Sequence, residues 1–168
     1  MPNRIQRILE SIKANAGNEV YEKIKETCEE TDVKTILSEL EEACGGAVVA
    51  QVMKPCGRQC IPGSFVARAK SIYAKAESVE DFLSLLNETR IGGGKLYIKD
   101  DKIIGIYEEC YCGLVKKVKG ISPLFCYCSE GWYEQLFSSV FGKPIEVKKL
   151  RTILDGSNQC EFEIGYQG

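Results

Sequence analysis

Apolar residues recur at helical spacing through the first 44 residues, and polar residues fill the positions between them. This pattern predicts three helices. Their apolar positions are Ile5, Ile8, Leu9 and Ile12, then Val20, Tyr21, Ile24 and Cys28, then Val33, Ile36, Leu37, Leu40 and Cys44. We expect Thr31 or Asp32 to cap the third helix and Gly45-Gly46 to end it.

Three more helical segments follow before residue 90. The apolar segment AVVAQVM predicts a short buried helix that runs into Pro55. Ser64 begins a helix over residues 65–76, and Ser78 with Asp81 three residues later is typical of a capping box for another.

The spacing changes from helix to strand after the segment IGGG. Residues 95–99 and 102–112 predict a hairpin around Asp100-Asp101. Residues 129–141 predict a helix, and the segments PIEVKKLRTIL and QCEFEI predict a second hairpin. The sequence therefore predicts one α+β domain over residues 1–168. Its N-terminal helical half (1–90) precedes a ββ-α-ββ unit (91–168), which forms a four-stranded antiparallel sheet with helices packed on one face.

Alternation within the last hairpin assigns one face of each strand to the core. Cys160, Phe162 and Ile164 share one face, so we expect Cys160 to be packed. In the preceding strand the apolar parity changes between Val147 and Leu150. This change predicts a β-bulge or burial of both faces of the strand.

Charge and composition limit the class of partner. A net charge of −2 over 168 residues lacks the basic excess of a nucleic-acid binder, so we expect no nucleic acid as partner. No stretch approaches the roughly 20 apolar residues of a membrane span, and the first residues show no secretory apolar run. We therefore expect a cytoplasmic protein with reduced thiols.

Histidine is absent from the sequence. Its absence excludes catalytic Ser-His or Cys-His pairs and zinc sites that depend on imidazole. A soft metal would have to be held mainly by thiolates.

Four of the nine cysteines form two Cys-x-Cys pairs, each around a tyrosine. We expect Cys110 and Cys112 to lie side by side at the end of the second strand, because strand residues two apart share a face. Cys126 and Cys128 precede the Ser129 helix, whose dipole is expected to lower the thiol pKa. If the connector between the pairs folds back, the four sulfurs predict a zinc site or, alternatively, an iron–sulfur cluster.

The remaining cysteines allow two interpretations. Cys56 and Cys60 have the i, i+4 spacing of two ligands on one helix face, and they would complete the metal site in place of one Cys-x-Cys pair. Cys28, Cys44 and Cys160 are expected to pack as small hydrophobic residues. The sequence leaves open whether the Cys-x-Cys pairs bind a metal, undergo redox chemistry or only pack.

Aromatic residues beside these cysteines are candidates for binding a small molecule. Tyr111, Tyr127 and Trp132 are the ones closest to the sulfurs along the chain. A ligand pocket is typically apolar with few polar groups, which suits these rings, although they are equally expected in a core.

The segment CYCSEGWYEQLFSSVFGKPIEVKKLRTILDGSNQCEFEI resembles the C-terminal part of the vinyl-reductase-type small-molecule-binding domain, which is related to haem–nitric-oxide sensors and transport-particle subunits. The shared elements are a cysteine before a Gly-Trp helix, Gly142 with Pro144, the Asp155-Gly156 turn and a closing Cys-x-Phe strand. The resemblance covers roughly residues 108–165.

This resemblance implies a hydrophobic pocket between sheet and helices, with cysteines suspected of metal binding. The same ending also resembles the aminothiazoline-carboxylate hydrolase family. The chain departs from both in lacking histidine and in doubling the cysteine motif, so catalytic roles are not carried over. The segments IGGG, CYCG and CSEGW are most similar to prokaryotic relatives.

Three functions fit these observations. The first is a small-molecule binding or sensor protein with a cysteine-thiolate metal site. The alternative is a cysteine- or metal-dependent hydrolase of a small amide or thiazoline-like substrate, in which Cys126 or Cys128 would need Glu108, Glu109 or Glu130 as base. The third is a thiol redox switch within the Cys-x-Cys pairs. The apolar N-terminal stripes also permit a homodimer.

Overall fold

The computed structural model describes residues 3–29 and 32–167. Within these ranges the chain forms helices first and then a mixture of strands and helices. The helices are α1 (Arg4–Asn15), α2 (Asn18–Thr27), α3 (Val33–Cys44), α4 (Gly46–Cys60), α5 (Gly63–Tyr73), α6 (Val79–Glu88), α7 (Gly113–Lys117) and α8 (Tyr127–Phe141).

The strands form one antiparallel sheet in the order β1-β2-β4-β3. Their bounds are β1 (Leu96–Lys99), β2 (Lys102–Tyr107), β3 (Glu146–Arg151) and β4 (Cys160–Gly165). Residues of α5, α6 and α8 pack against the sheet in one hydrophobic core. The predicted α+β class is confirmed, with its N-terminal helices, its ββ-α-ββ unit and its four-stranded sheet.

Side-chain caps begin three of the helices. Asn3 forms a capping box with Gln6 at α1, and Asp32 accepts a hydrogen bond from the Thr35 amide at α3. Ser78 accepts from the Asp81 amide at 3.0 Å, which is one half of the predicted capping box; the Asp81 carboxylate accepts from the Glu77 amide and not from that of Ser78. Asp32 is thus the cap of α3, and the other candidate, Thr31, lies outside the described residues.

Helix α4 is longer than the sequence predicts, because it continues through Pro55 to Cys60. Proline inside a helix removes one backbone hydrogen bond and usually bends or ends it. Here Cys56 and Gly57, the two residues after Pro55, are buried against other helices, and this packing outweighs the local preference. As a result Cys56 and Cys60 lie on one continuous helix.

Two boundaries near the Cys-x-Cys pairs differ from the prediction. Strand β2 ends at Tyr107, which pairs with Cys160, the first residue of β4. Beyond that pair β2 has no partner, so Cys110 and Cys112 lie in an irregular segment instead of a strand. Helix α8 begins at Tyr127, after a 3₁₀ turn over Pro123–Cys126, and not at Ser129.

The hairpin details agree with the sequence. Asp100 and Asp101 both have positive φ, 48° and 59°, as a tight hairpin turn requires. The register of β3 against β4 shifts between Lys149 and Arg151, which is the predicted bulge.

The described residues form two hydrophobic cores. The first lies under the sheet, and the second joins α1–α4 to the connector around Ile121 and Phe125. Ile8, Leu9 and Ile12 of α1 are buried in this second core. The stripe on which the homodimer prediction rests is therefore covered within the chain itself.

No helix in the described ranges is both long enough and apolar enough to cross a membrane.

Candidate functional site: a cysteine-lined cavity

A cavity of about 340 Å³ lies between the N-terminal helices, the start of α8 and the sheet. Six of the nine cysteines line it: Cys60, Cys110, Cys112, Cys126, Cys128 and Cys160. The rest of the lining is mainly aromatic and cationic: Phe65, Tyr107, Tyr111, Phe125, Trp132, Arg4 and Arg90, with Gly92, Gly93 and Ser129. The fold thus collects cysteines from four separate parts of the sequence.

Direct backbone contact between α4 and α8 brings two of these cysteines together. A Cβ atom at Gly57 would overlap the carbonyl of Cys128, and one at Gly131 would overlap the carbonyl of Lys54. Only glycine permits this approach. Cys60 is three residues after Gly57 and therefore shares its face of α4, next to the first turn of α8.

Arg4 of α1 lies among three of the thiols. Its Nη1 donates a hydrogen bond to Cys112 Sγ at 2.8 Å, and its charge also acts on Cys60 and Cys128. We call Cys60, Cys112 and Cys128 the Arg4 thiol group. A guanidinium beside thiols favours their thiolate form.

Of the pair Cys60 and Cys128, Cys60 is the residue whose thiolate form is favoured. A hydrogen bond from the Cys128 thiol, together with the charges of Arg4 and Arg7, lowers the pKa of Cys60 to about 6. The same hydrogen bond raises the pKa of Cys128, because Cys128 is the donor and burial disfavours its charge. The pair is therefore a thiolate next to a protonated thiol at neutral pH.

In the other three cavity cysteines, Cys110, Cys126 and Cys160, burial outweighs the nearby charges of Lys116 and Lys149. We call them the Cys126 thiol group. Burial raises the pKa of Cys126 to about 12, with the neighbouring Cys160 adding to the effect, and burial also raises the pKa of Cys110 and Cys160. Cys160 Sγ accepts a hydrogen bond from the Ile153 amide at 3.3 Å. These thiols are protonated at neutral pH.

Each Cys-x-Cys pair thus sends one sulfur to each group. In a helix, consecutive residues are about 100° apart, so Cys126 and Cys128 point in nearly opposite directions. The expectation that the start of α8 lowers the pKa of both cysteines is wrong, because burial of Cys126 and the donated hydrogen bond of Cys128 outweigh the helix dipole. The cysteine whose pKa is lowered is Cys60 on α4, which lies across the α4–α8 contact from Cys128.

Two of the three predicted ligand-binding aromatics line the cavity. Trp132 is half-buried there, and Tyr111 is exposed beside it with its ring against Tyr107. Tyr127 lies outside the cavity, because it faces the N-terminal core and has Lys149 Nζ 4.2 Å above its ring. Tyr107, which the sequence did not distinguish from the other aromatics, stacks on the buried Tyr133 and forms part of the wall.

The segment IGGG forms another part of the wall. Gly92, Gly93 and Gly94 all have positive φ, and a Cβ at Gly93 would lie 2.6 Å from the Ile106 carbonyl oxygen. The Tyr133 hydroxyl donates a hydrogen bond to the Gly92 carbonyl at 2.8 Å. The loop is therefore packed against the sheet and α8, and it borders the cavity.

The carboxylates considered as catalytic bases lie elsewhere. Glu108 and Glu109 are exposed and pair with Lys95 and Lys116. Glu130 is buried, pairs with Lys54 at 2.9 Å and accepts a hydrogen bond from the Lys149 amide at 2.6 Å. Among the described residues that line the cavity there is no Asp or Glu, so a carboxylate-assisted hydrolase finds no base there.

The predicted metal ligands are only partly brought together. Cys56 is buried outside the cavity, where it donates to the Val52 carbonyl at 3.3 Å, because it lies one helical turn before Cys60 on the side facing α1. Within residues 3–29 and 32–167, no three Cys, Asp or Glu side chains are grouped closely enough to hold a metal ion. Zinc and the iron–sulfur cluster stay predictions, which elemental analysis and an absorption spectrum would test.

Cys160, Arg4 and Arg90 are among the cavity residues that reasoning from the sequence missed. Cys160 was assigned to the core; it is 5% exposed, and its sulfur also borders the cavity. Arg4 and Arg90 belong to no sequence motif. They reach the cavity because of how α1 and the end of α6 pack in the folded chain. The run of three glycines was the one local signal for an unusual loop.

Residues 2–167 match the model of a family described as a family of unknown function (DUF6144). No curated protein matches the chain.

Proposed function

The chain belongs to this family of unknown function, and we propose that it binds a small, largely apolar molecule with a negative charge in the cysteine-lined cavity. The observation that carries the proposal is the lining. It combines aromatic rings and thiols with two arginines, and it contains no carboxylate among the described residues.

The size and apolar character of the cavity support a small ligand. Its volume of about 340 Å³ lies within the range of roughly 300–1,000 Å³ that is typical of ligand pockets. Trp132, Tyr107 and Phe125 supply flat apolar walls. Phe65 and Tyr111 are exposed large apolar side chains at its border, 40% and 52% exposed, which suits a surface that a ligand covers.

The charge of the lining supports an acidic group on the ligand. Arg4 is already engaged with thiols, through its hydrogen bond to Cys112 and its effect on Cys60. Arg90 is exposed at the cavity border, with a left-handed φ of 60° that directs the chain out of α6. We therefore assign the ligand's negative group to Arg90, since guanidinium pairs well with carboxylate, sulfonate and phosphate.

Several finer points from the sequence belong to the proposal as well. They are a cytoplasmic location, a role as sensor and a relationship to the vinyl-reductase-type domain, whose implied pocket between sheet and helices is of the same kind. The homodimer also stays a prediction. The thiolate metal site is not required for ligand binding as proposed.

The single tryptophan of the chain makes the test direct, because Trp132 lines the cavity. The probe is anilinonaphthalene sulfonate, which has an apolar aromatic body and one negative group. We expect saturable binding with energy transfer from Trp132 to the probe. A neutral phenylnaphthylamine of the same shape is the matched probe, and it should bind about tenfold more weakly, as for the loss of one charged hydrogen bond.

Two outcomes would contradict the proposal. The first is probe binding without energy transfer from Trp132, which would place the probe elsewhere. The second is equal affinity for the charged and neutral probes, together with no loss of affinity for the charged probe in Arg90→Ala. That result would show that Arg90 does not bind the negative group of the ligand.

A further inference from the structure

The proximity of Cys60 and Cys128 permits thiol chemistry that is separate from ligand binding. The two residues lie on different helices, α4 and α8, whose backbones touch where Gly57 meets the carbonyl of Cys128, and both border the same cavity. Neither is fully buried. A small oxidant that enters the cavity therefore reaches both sulfurs.

We propose that Cys60 and Cys128 form a peroxide-reactive pair, in which Cys60 is oxidised by a hydroperoxide and Cys128 then closes a disulfide with it. The proposal goes beyond the binding function and does not require a ligand in the cavity. The oxidant is a hydroperoxide, ROOH, with hydrogen peroxide as the simplest case.

The first step transfers one oxygen atom to sulfur. The Cys60 thiolate attacks the terminal oxygen of ROOH, an S–O bond forms and the O–O bond breaks. The leaving RO⁻ takes the proton of the Cys128 thiol and departs as ROH. Cys60 is now a sulfenic acid and Cys128 a thiolate, so the total charge is unchanged.

The second step forms the disulfide. The Cys128 thiolate attacks the Cys60 sulfur, an S–S bond forms and the S–O bond breaks, which releases hydroxide that a solvent proton converts to water. One hydroperoxide is reduced to ROH and water, and two thiols are oxidised to one disulfide. An added thiol reverses the change by thiol–disulfide exchange.

The surroundings favour this pair over the other cavity cysteines. Arg4 donates a hydrogen bond to Cys112, and its charge also acts on Cys60, where it favours the thiolate and the developing RO⁻. Cys126 and Cys160, in contrast, are buried thiols, 7% and 5% exposed. The expected disulfide therefore joins the two helices and differs from the bonds within each Cys-x-Cys pair that the sequence suggests.

The test uses the full reduced chain, treated with stoichiometric hydrogen peroxide and digested for mass spectrometry without reduction. We expect a peptide pair joined through Cys60 and Cys128, and its loss after treatment with dithiothreitol. Recovery of both thiols unmodified, or a disulfide that leaves either one free, would overturn the proposal.

Variants separate the two roles. In Cys128→Ser, dimedone should trap a sulfenic acid on Cys60, whereas in Cys60→Ser no sulfenic acid should form on Cys128. Cys44→Ser is the control, because Cys44 lies outside the cavity, and it should give the same disulfide as the unaltered chain. Dimedone trapping of a sulfenic acid on Cys128 in Cys60→Ser would contradict the assignment of Cys60 as the residue that peroxide oxidises. The mapping on the unaltered chain does not depend on whether a variant folds.

Discussion

Gly57 of α4 lies against the carbonyl oxygen of Cys128 on α8, with no space for a Cβ atom between them. Gly131 of α8 lies in the same way against the carbonyl of Lys54. The two glycines let the helices touch backbone to backbone, and this contact sets the separation of Cys60 from Cys128. The reactive pair therefore depends on residues that carry no chemistry themselves.

Gly57→Ala should move α4 away from α8 and increase the distance between the thiols of Cys60 and Cys128. The added methyl group has no room and meets backbone atoms, so the helices must shift. We expect a loss of about 3 kcal/mol in the free energy of unfolding, as for an overpacked core site. Urea denaturation measures the loss. The yield of the Cys60–Cys128 disulfide after peroxide should fall in parallel.

Gly63→Ala is the matched control for this variant. Gly63 is the first residue of α5, and nothing lies within 4 Å of a Cβ built there. Alanine is the better helix former, so stability should stay equal or rise by up to about 1 kcal/mol. Equal stability of the two alanine variants would show that the α4–α8 contact is not tight.

The alkylation rate of Cys60 should depend on pH with a midpoint near 6. The thiolate is the reacting form, and the hydrogen bond from Cys128, followed by the charges of Arg4 and Arg7, lowers the pKa of Cys60 to about 6 from an ordinary value of 9.0. The rate should therefore be constant above pH 7 and fall about tenfold per pH unit below the midpoint. Iodoacetamide labelling at Cys60, followed by mass spectrometry, gives the profile.

Removing the groups that lower this pKa should shift the profile upward. Cys128→Ala removes the hydrogen bond and Arg4→Gln removes one charge, so each should move the midpoint towards 9.0. Lys75→Gln is the control, since Lys75 does not line the cavity. A midpoint near 9 in the unaltered chain would contradict the assignment of the thiolate to Cys60.

The fold was predictable from the sequence because most of its signals are local. The stripe of α3, the Ser78 cap, the Asp100-Asp101 turn and the bulge near Leu150 each depend on neighbouring residues. Tertiary contacts decided the elements that were predicted differently. Burial of Cys56 and Gly57 carries α4 past Pro55, and β2 ends at Tyr107, opposite Cys160, where β4 begins.

The candidate site was predictable in part. The sequence indicated that the two Cys-x-Cys pairs meet beside aromatic residues, and all four cysteines line the cavity with Tyr111 and Trp132. It could not indicate that Cys160 joins them, because this follows from the pairing of β4 with β2, nor that Cys60 lies beside Cys128, because this follows from the close approach of α4 and α8. Neither the spacing of residues nor the composition of the chain could predict that Arg4 lies among three thiols.

Glu130→Ala should destabilise the protein, because it removes a buried carboxylate that makes one ion pair and accepts one backbone hydrogen bond. Glu130 is 4% exposed, and its carboxylate pairs with Lys54 and accepts from the Lys149 amide. Its removal leaves the Lys149 amide without this acceptor and Lys54 with Glu134 as its remaining partner, which costs about 2 kcal/mol for a buried hydrogen-bonded carboxylate. Thermal or urea denaturation measures the change. Glu108→Ala, which removes only an exposed pair with Lys95, should cost less than about 1 kcal/mol. An equally small effect of both variants would contradict a structural role for Glu130.

Ser129→Phe should block ligand binding by filling the cavity. Ser129 lies in the first turn of α8 and lines the cavity between Cys128 and Trp132, so a phenyl ring there takes up a large part of the 340 Å³. We expect the affinity for anilinonaphthalene sulfonate to fall at least about tenfold, with loss of energy transfer from Trp132. Ser139→Phe is the matched control, because Ser139 lies on the same helix but outside the cavity, and it should bind the probe as the unaltered chain does. Circular dichroism confirms that both variants fold. Unchanged affinity in a folded Ser129→Phe protein would show that the probe binds elsewhere and that the cavity is not the ligand site.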